Sequence, residues 1–317
     1  MQLKQSVRTL TYTLANTLIG PQATTGQPVF VTGNGRSGTS WIGETLGRAN
    51  EVLYYREPCH PRSNGLAGAE AERVWCRHLR PGERDGYFEA TLGAAFRGRF
   101  WPGSGYRLAD YRARLGRRPR VIVKEVASFL SLEWVAARWQ PAVVVILRHP
   151  GAYAASVRNL EQEALELERF ALLRAEPALQ PRLAAWGPEV AAALAAARDP
   201  LEVSVASWAI RTRVALEARA RHPDWQMVRY EAVAGDPVAE FRTLYARLGL
   251  AWAPAIEAWL RNRTSADAAG NYTTARVSAA RIDAWRGQFS AAEILRIRRM
   301  LEPFALPVYA EPADWPA

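Results

Sequence analysis

The sequence predicts a three-layer α/β fold with a central parallel sheet and helical insertions, and three observations predict it. Short, continuously apolar runs alternate with helical segments, as strands and crossover helices do in a parallel sheet. The first run leads into a glycine-rich turn whose hydroxyl residues open the next helix. A length of 317 residues, 49% hydrophobic and 23% charged, suits one large domain with a substantial core and excludes a mainly disordered chain.

In chain order, Leu3, Val7, Leu10, Leu14 and Leu18 fall on one helical face. Such a face packs on the domain or lies in a membrane interface. Gly20-Pro21 and the polar run to Gln27 end the helix, so residues 1–27 read as a helix and linker before a single domain at 28–317. Residues 28–32 are the first buried strand, followed by a helix over about 39–48 and a second strand at 52–55. Residues 58–118 read as an irregular and helical insertion without a clear strand. A third strand at 121–123 precedes a helix bearing Trp134 and Trp139, and the run 143–147 is continuous enough for the middle of a parallel sheet. Pro150 suits a first helical position, and 161–200 is a second helical insertion broken at Pro177, Pro181 and Pro188. Trp208 lies on a further helix, residues 225–230 form a fifth strand, and the rest is helical except for a polar segment at 262–278.

The turn after the first strand, Gly33-Asn34-Gly35-Arg36-Ser37-Gly38-Thr39-Ser40-Trp41, aims backbone N–H groups and a positive helix end at one spot, which makes an anion site. Gly33 to Gly38 has the G-x-x-x-x-G frame of a nucleoside-triphosphate loop, but Thr39 stands where that loop has lysine. The cation is Arg36, inside the loop, and the strand at 143–147 runs into Arg148 instead of an aspartate that could hold Mg²⁺. Both departures weigh against the alternative of a divergent P-loop kinase.

Gly35 to Trp41 resembles the 5′-phosphosulfate loop of sulfotransferases that use 3′-phosphoadenylyl sulfate (PAPS), with Gly35 in place of the usual proline. That family's second element, a strand ending in arginine with a serine eight residues later, is matched by Arg148 and Ser156. The two motifs stand in the right order about 110 residues apart, and weaker similarity at Val228-Arg229-Tyr230-Glu231 and Ala284-Trp285-Arg286 extends the resemblance over roughly 28–300. The resemblance implies a P-loop NTPase-like fold, PAPS as sulfuryl donor, adenosine 3′,5′-bisphosphate (PAP) as product, and no required metal. It implies that Gly35, Arg36, Ser37, Gly38, Thr39, Ser40 and Trp41 hold the donor's phosphosulfate and that Arg148 and Ser156 bind its 3′-phosphate. A strand-end guanidinium with a helix hydroxyl suits a dianion. Tyr230 and Trp208 would lie at the nucleotide end, although both also read as core aromatics.

Sulfuryl transfer needs a base for the acceptor hydroxyl, a holder for the sulfuryl oxygens and charge neutralisation at the leaving phosphate. By resemblance, Arg36 neutralises the leaving group. The chain has 39 arginines but only Lys4 and Lys124, so a lysine at the end of the third strand points to a compact ammonium. Lys124 is assigned to the sulfuryl or bridging oxygen, with an ion pair to Glu125 or another carboxylate as the alternative. Glu57, at the end of the second strand segment and 21 residues after Arg36, is the expected base, as in the carbohydrate and protein-tyrosine sulfotransferases that this Glu-Pro context resembles. His60 is the competing base, and pairing with an arginine is the purely structural role for Glu57.

The stretch 52–61 is similar to bacterial polysaccharide-cluster sulfotransferases, with His60 and Cys59 replacing the usual Asn and aromatic. A glycan or glycolipid is the expected acceptor, and a small hydroxylated metabolite or lipid is the alternative. The Arg- and aromatic-rich segment 73–118 reads either as a sugar-stacking wall or as a helical cap. The formal charge of +10 favours anionic ligands, yet the arginines are spread along the chain, so no nucleic-acid partner is expected. The apolar stretch 142–147 falls far short of the roughly 20 residues of a spanning helix, so no transmembrane segment is expected, and peripheral contact through residues 1–20 stays open. Cys59 and Cys76 read as free thiols of a cytoplasmic protein, with a metal cluster drawing on His60 and His78 as the lesser alternative.

Overall fold

The computed structural model describes residues 24–50, 52–99, 119–264 and 282–315, with Leu10, Leu14, Asn16 and Thr17 near the N-terminus. The elements are β1 (Val29–Gly33), α1 (Thr39–Leu46), β2 (Val52–Arg56), α2 (Gly68–Val74), α3 (Gly86–Phe96), β3 (Arg120–Lys124), α4 (Leu132–Trp139), β4 (Ala142–Leu147) and α5 (Pro150–Asn159). They continue with α6 (Glu163–Ala175), α7 (Gln180–Ala185), α8 (Pro188–Ala196), α9 (Pro200–Arg221), β5 (Gln226–Arg229), α10 (Tyr230–Gly235), α11 (Pro237–Arg247), α12 (Pro254–Thr264) and α13 (Ala291–Leu301).

The five strands are parallel in the order β2-β3-β1-β4-β5. Strand periodicity sorts their side chains into two layers of core. Phe30, Val121, Val123, Val143 and Val145 face a cluster completed by α3, α4 and α9, with Phe88, Trp134 and Trp208 among its buried residues. Val29, Val31, Ile122, Val144 and Ile146 face the other cluster, with Ile42 of α1 and Phe241 and Tyr245 of α11. Burial on both faces explains why β1, β3 and β4 read as continuous apolar runs, and the result is the expected three-layer α/β fold.

The register brings Gly33 beside Ile146, Lys124 beside Arg56, and Leu147 beside Arg229, so every strand delivers its C-terminal end to one edge. The chain steps from β1 toward β2 and β3 on one side and toward β4 and β5 on the other. Ligands in open α/β sheets gather at such a reversal.

The helical insertion at 161–200 is α6, α7 and α8, with Pro181 and Pro188 in first turns as the proline punctuation predicts. The described part of 58–118 contains a short 3-10 helix at Pro61–Asn64, α2 and α3, and residues 100–118 lie outside the described residues. The fifth strand ends at Arg229, one residue earlier than expected, because Tyr230 opens α10. Leu10 and Leu14 are helical but 61% and 53% exposed, so at these positions the N-terminal face is open instead of packed. Leu3, Val7, Leu18 and residues 265–281 lie outside the described residues.

Candidate active site

The loop after β1 is built from backbone conformations that few residues tolerate. A Cβ on Gly33 would stand 2.4 Å from the Ile146 carbonyl oxygen on the neighbouring strand. Gly38 has φ 84°, and its Cβ would fall 2.5 Å from the Tyr230 ring. Arg36, although not glycine, is left-handed at φ 70°. Two contacts hold it there: its Nε donates to Ser156 Oγ at 3.1 Å, and its carbonyl accepts from Arg148 Nη1 at 2.8 Å. Asn34 Nδ2 donates to Thr212 Oγ1 at 3.1 Å, which ties the loop to α9.

The helix that the loop feeds has its positive end uncovered. The residue capping α1 is Gly38, which supplies no side-chain acceptor, and the first turn of the helix contains no acidic residue. Beside it, Ser37 Oγ is buried without a hydrogen-bond partner among the described residues. Orphan helix N–H groups, an unpaired hydroxyl and two guanidiniums suit an anion. Tyr230 packs its ring under the Arg148 guanidinium at 4.6 Å. Trp208 is only 1% exposed and donates from Nε1 to the Arg148 carbonyl at 3.1 Å, so it supports Arg148 from within the core.

The strand-end arginine has a rigid foundation. His149 Nδ1 accepts from Gly151 N at 3.1 Å, the His149 backbone N–H donates to Glu231 Oε1 at 2.8 Å, and the imidazole stacks on Trp285 with centroids 4.3 Å apart. Burial in this aromatic box pushes the imidazole down to about 3, so it is neutral at physiological pH.

Across the loop, β2 and β3 supply a second group. Lys124 is 1% exposed and its Nζ donates to Glu57 Oε1. Glu57 is left-handed at φ 52°, and its N–H donates to the Lys124 carbonyl at 2.6 Å. Burial alone would raise the Glu57 carboxyl, but the charge and hydrogen bond of Lys124, with Arg56 and His60, hold it below the ordinary glutamate value. Lys124 therefore takes Glu57 as its carboxylate and leaves Glu125 to another task. Glu125 is fully buried and accepts from the amides of Cys59 at 2.6 Å, Val126 at 2.8 Å and Ala127 at 2.7 Å. Burial first, then the Glu57 charge, pushes Glu125 up to about 7.

His60 caps the following 3-10 helix through Nδ1, which accepts from Ser63 N at 3.4 Å, and its ring meets Trp75 edge-on. Burial pushes this imidazole down against the pull of Glu57. The two cysteines and His78 have separate partners. Cys59 Sγ lies 3.1 Å from Thr91 Oγ1, Cys76 Sγ donates to the Arg169 carbonyl at 3.2 Å, and His78 Nδ1 lies 2.6 Å from the Leu130 carbonyl. Among the described residues no three His, Cys, Asp or Glu side chains gather as a metal cluster. Of the aromatics in 73–118, Phe88 and Phe96 are core, Trp75 faces the site, and Phe100, Trp101, Tyr106 and Tyr111 lie outside the described residues.

One cleft of about 610 Å³ joins the groups, lined by Gly35, Arg36, Gly38, Thr39, Ser40 and Trp41 of the loop, by Arg148, Ser156 and Tyr230 on one side, and by Glu57, His60 and Lys124 on the other. Ser37 lies just beneath this lining, fully buried. Sequence reasoning missed the Asn34–Thr212 tie, the bracket made by Glu125, and the aromatic box around His149. Only Glu125 left a signal, as a second charge at the end of an apolar strand.

Fold and site together define a parallel-sheet α/β protein in which a glycine-rich loop suited to an anion faces a carboxylate–ammonium pair. The chain belongs to the sulfotransferase family, whose family model matches residues 28–254. It is similar to human carbohydrate sulfotransferase 5, 35% identical over 81 residues that make 24% of this chain and 20% of that protein. It is also similar to human carbohydrate sulfotransferase 3, 33% identical over 81 residues, 23% of this chain and 17% of that protein. The match thus spans about a fifth of the length of these curated relatives. Among solved structures, the sulfotransferase domain of the Synechococcus PCC 7002 olefin synthase aligns at 17% identity and TM-score 0.49, covering 91% of this chain and 98% of that one. A mouse sulfotransferase complexed with PAP aligns at 14% identity and TM-score 0.45, covering 90% and 86%.

Proposed function

We propose that the chain is a PAPS-dependent O-sulfotransferase that moves a sulfuryl group to an acceptor hydroxyl on a glycan or glycolipid. The observation that carries this reading is the pairing, in one cleft, of an uncapped anion loop linked to Arg148 and Ser156 with the Glu57–Lys124 pair opposite. Family membership and the carbohydrate-sulfotransferase relatives support it. A small hydroxylated metabolite or lipid remains the second acceptor class.

The donor, when bound, supplies an electrophilic sulfuryl group on a good leaving phosphate. In this reading the loop amides from Gly35 to Trp41 and the Arg36 guanidinium hold the 5′-phosphosulfate and neutralise charge growing on the leaving oxygen. Arg148 and Ser156 hold the 3′-phosphate, and Tyr230 fixes the plane of the Arg148 guanidinium. Lys124 steadies the sulfuryl oxygens and keeps Glu57 ionised, and Glu57 accepts the proton of the acceptor hydroxyl. His60, neutral and engaged as a cap, is the weaker candidate for that proton.

No described helix is long and apolar enough to cross a membrane. A single sulfotransferase domain at 28–317 working in the cytoplasm, where Cys59 and Cys76 stay reduced, completes the reading. Titration calorimetry with PAP, against ATP plus Mg²⁺, tests it. Micromolar binding of PAP without metal is expected, and a preference for ATP with Mg²⁺ would overturn the donor assignment.

A further inference from the structure

The cleft has a second cationic wall on the side away from Arg148. β2 is three strands from β4 in the sheet order, so their ends lie roughly 14 Å apart at about 4.8 Å per strand. Arg56 ends β2, is exposed, and forms no ion pair among the described residues. Arg62, on the 3-10 helix after Glu57, keeps 70% of its side chain exposed, with Nη2 3.6 Å from Glu72 Oε1. Arg169 of α6 donates from Nε to Glu72 Oε2 at 2.7 Å, and its guanidinium lies 4.9 Å over the Trp75 ring. All three arginines line the cleft.

One buried carboxylate, Glu72, therefore answers two guanidiniums, and Arg56 stands beside them with no ion pair of its own among the described residues. The other cations on this side are already matched, Lys124 by Glu57 and Arg211 by Glu166 at 3.3 Å. Burial holds His60 below the usual imidazole range, Glu57 pulls against it, and Arg62, Lys124 and Arg169 add to the lowering. Unmatched like charges around a cleft draw in counter-charge, and guanidinium forks match carboxylate and sulfate oxygens.

We propose that this wall is an anion subsite for the acceptor, which carries a carboxylate or sulfate close to the hydroxyl that is modified, held by Arg56, Arg62 and Arg169. The inference rests on the sulfotransferase reading and deepens it by naming the acceptor's charge. Arg56 and Arg62 neighbour Glu57 in sequence, so an anion bound between them brings an adjoining hydroxyl to the base. Arg169, fixed by Glu72 and Trp75, forms the rigid back of the subsite.

The experiment uses three 4-nitrophenyl glycosides: the β-D-glucuronide, the neutral β-D-glucoside, and the N-acetyl-β-D-glucosaminide 6-sulfate. Their binding to the PAP-loaded protein is measured by calorimetry, and PAPS-dependent transfer to each is measured in parallel. At least one anionic glycoside is expected to bind about tenfold or more tightly than the glucoside. Which of the two does so separates carboxylate from sulfate as the source of charge. The double variant Arg56→Gln/Arg62→Gln, altered only at exposed side chains, is expected to lose that advantage while PAP affinity holds. Equal binding of all three glycosides, an advantage that survives in the double variant, or no glycoside binding to PAP-loaded protein would overturn the subsite. Failure of PAP itself to bind the unaltered chain would overturn the donor reading first, and the subsite with it.

Discussion

Arg148 holds the glycine-rich loop after β1 from the end of β4, donating from Nη1 to the Arg36 carbonyl at 2.8 Å. The Arg36 side chain returns the connection, with Nε on Ser156 Oγ at 3.1 Å. Loop, strand end and following helix are thus closed into a ring, and the left-handed Arg36 backbone is held by partners from two other elements. Removing Arg148 would loosen the cradle as well as delete a charge.

Arg148→Ala is therefore expected to weaken PAP binding about 10- to 100-fold, in line with the loss of a charge-assisted contact. Glu57→Gln, across the cleft, should leave PAP affinity unchanged and lower kcat by about 100-fold or more. Calorimetry and steady-state transfer on both variants check this division. Equal loss of binding in the two variants would defeat it.

Gly38→Ala is expected to damage the loop more than its size implies. The new Cβ would meet the Tyr230 ring at 2.5 Å in a residue with φ 84°. The left-handed conformation alone costs about 1–2 kcal/mol for a non-glycine residue. Thermal unfolding should show the destabilisation, and PAP binding should fall with it, because the ring pushed aside is the one beneath Arg148. A variant with unchanged stability and unchanged PAP affinity would mean the contact is readily relieved.

The sequence made the loop and both its strands legible because their signals are local. Gly33, Gly38 and the apolar runs at β1 and β4 report backbone conformation and two-sided burial directly. Glu57 and Lys124 were placed at one edge by their positions at strand ends, but their ion pair depends on β2 lying beside β3, which no local pattern encodes. The same holds for Asn34 and Thr212, 178 residues apart. Tyr230 reads as strand by composition, yet it starts α10, and that turn is what lays its ring on Gly38 and Arg148. The exposure of Leu10 and Leu14 shows that helical periodicity identifies an apolar face without saying what covers it.

The Glu57 carboxyl is held low by Lys124 in spite of burial, so it stays ionised through the neutral range and down past the ordinary glutamate value of about 4.5. The pair contributes stability above the unfolded-state value, and that contribution is lost as pH falls through the lower folded value. Lys124→Met should move the Glu57 titration upward, since burial then acts without its main opponent. Carbon-detected NMR of the glutamate carboxyls reads this directly. A Glu57 titration that stays in place in the variant would show that Lys124 is not its principal partner.

Glu125 should show the opposite pH dependence from Glu57. It is fully buried and pushed up to about 7, so between about pH 4.5 and 7 the folded chain keeps a proton that the unfolded chain has released. Its stabilisation is complete below the unfolded value and declines as pH rises through the folded one. The side chain also brackets the turn that carries Glu57, with one oxygen on the Cys59 amide and the other on those of Val126 and Ala127. Glutamine has only one acceptor oxygen, so Glu125→Gln leaves part of that bracket unpaired, at a cost of about 1–3 kcal/mol. Urea unfolding of both proteins from pH 4.5 to 8 should give a gap that is widest at the acid end, narrows toward pH 7 and is flat beyond. A gap that stays flat between about pH 5.5 and 7 would mean that Glu125 is ionised throughout and acts only as a carboxylate clamp on the turn.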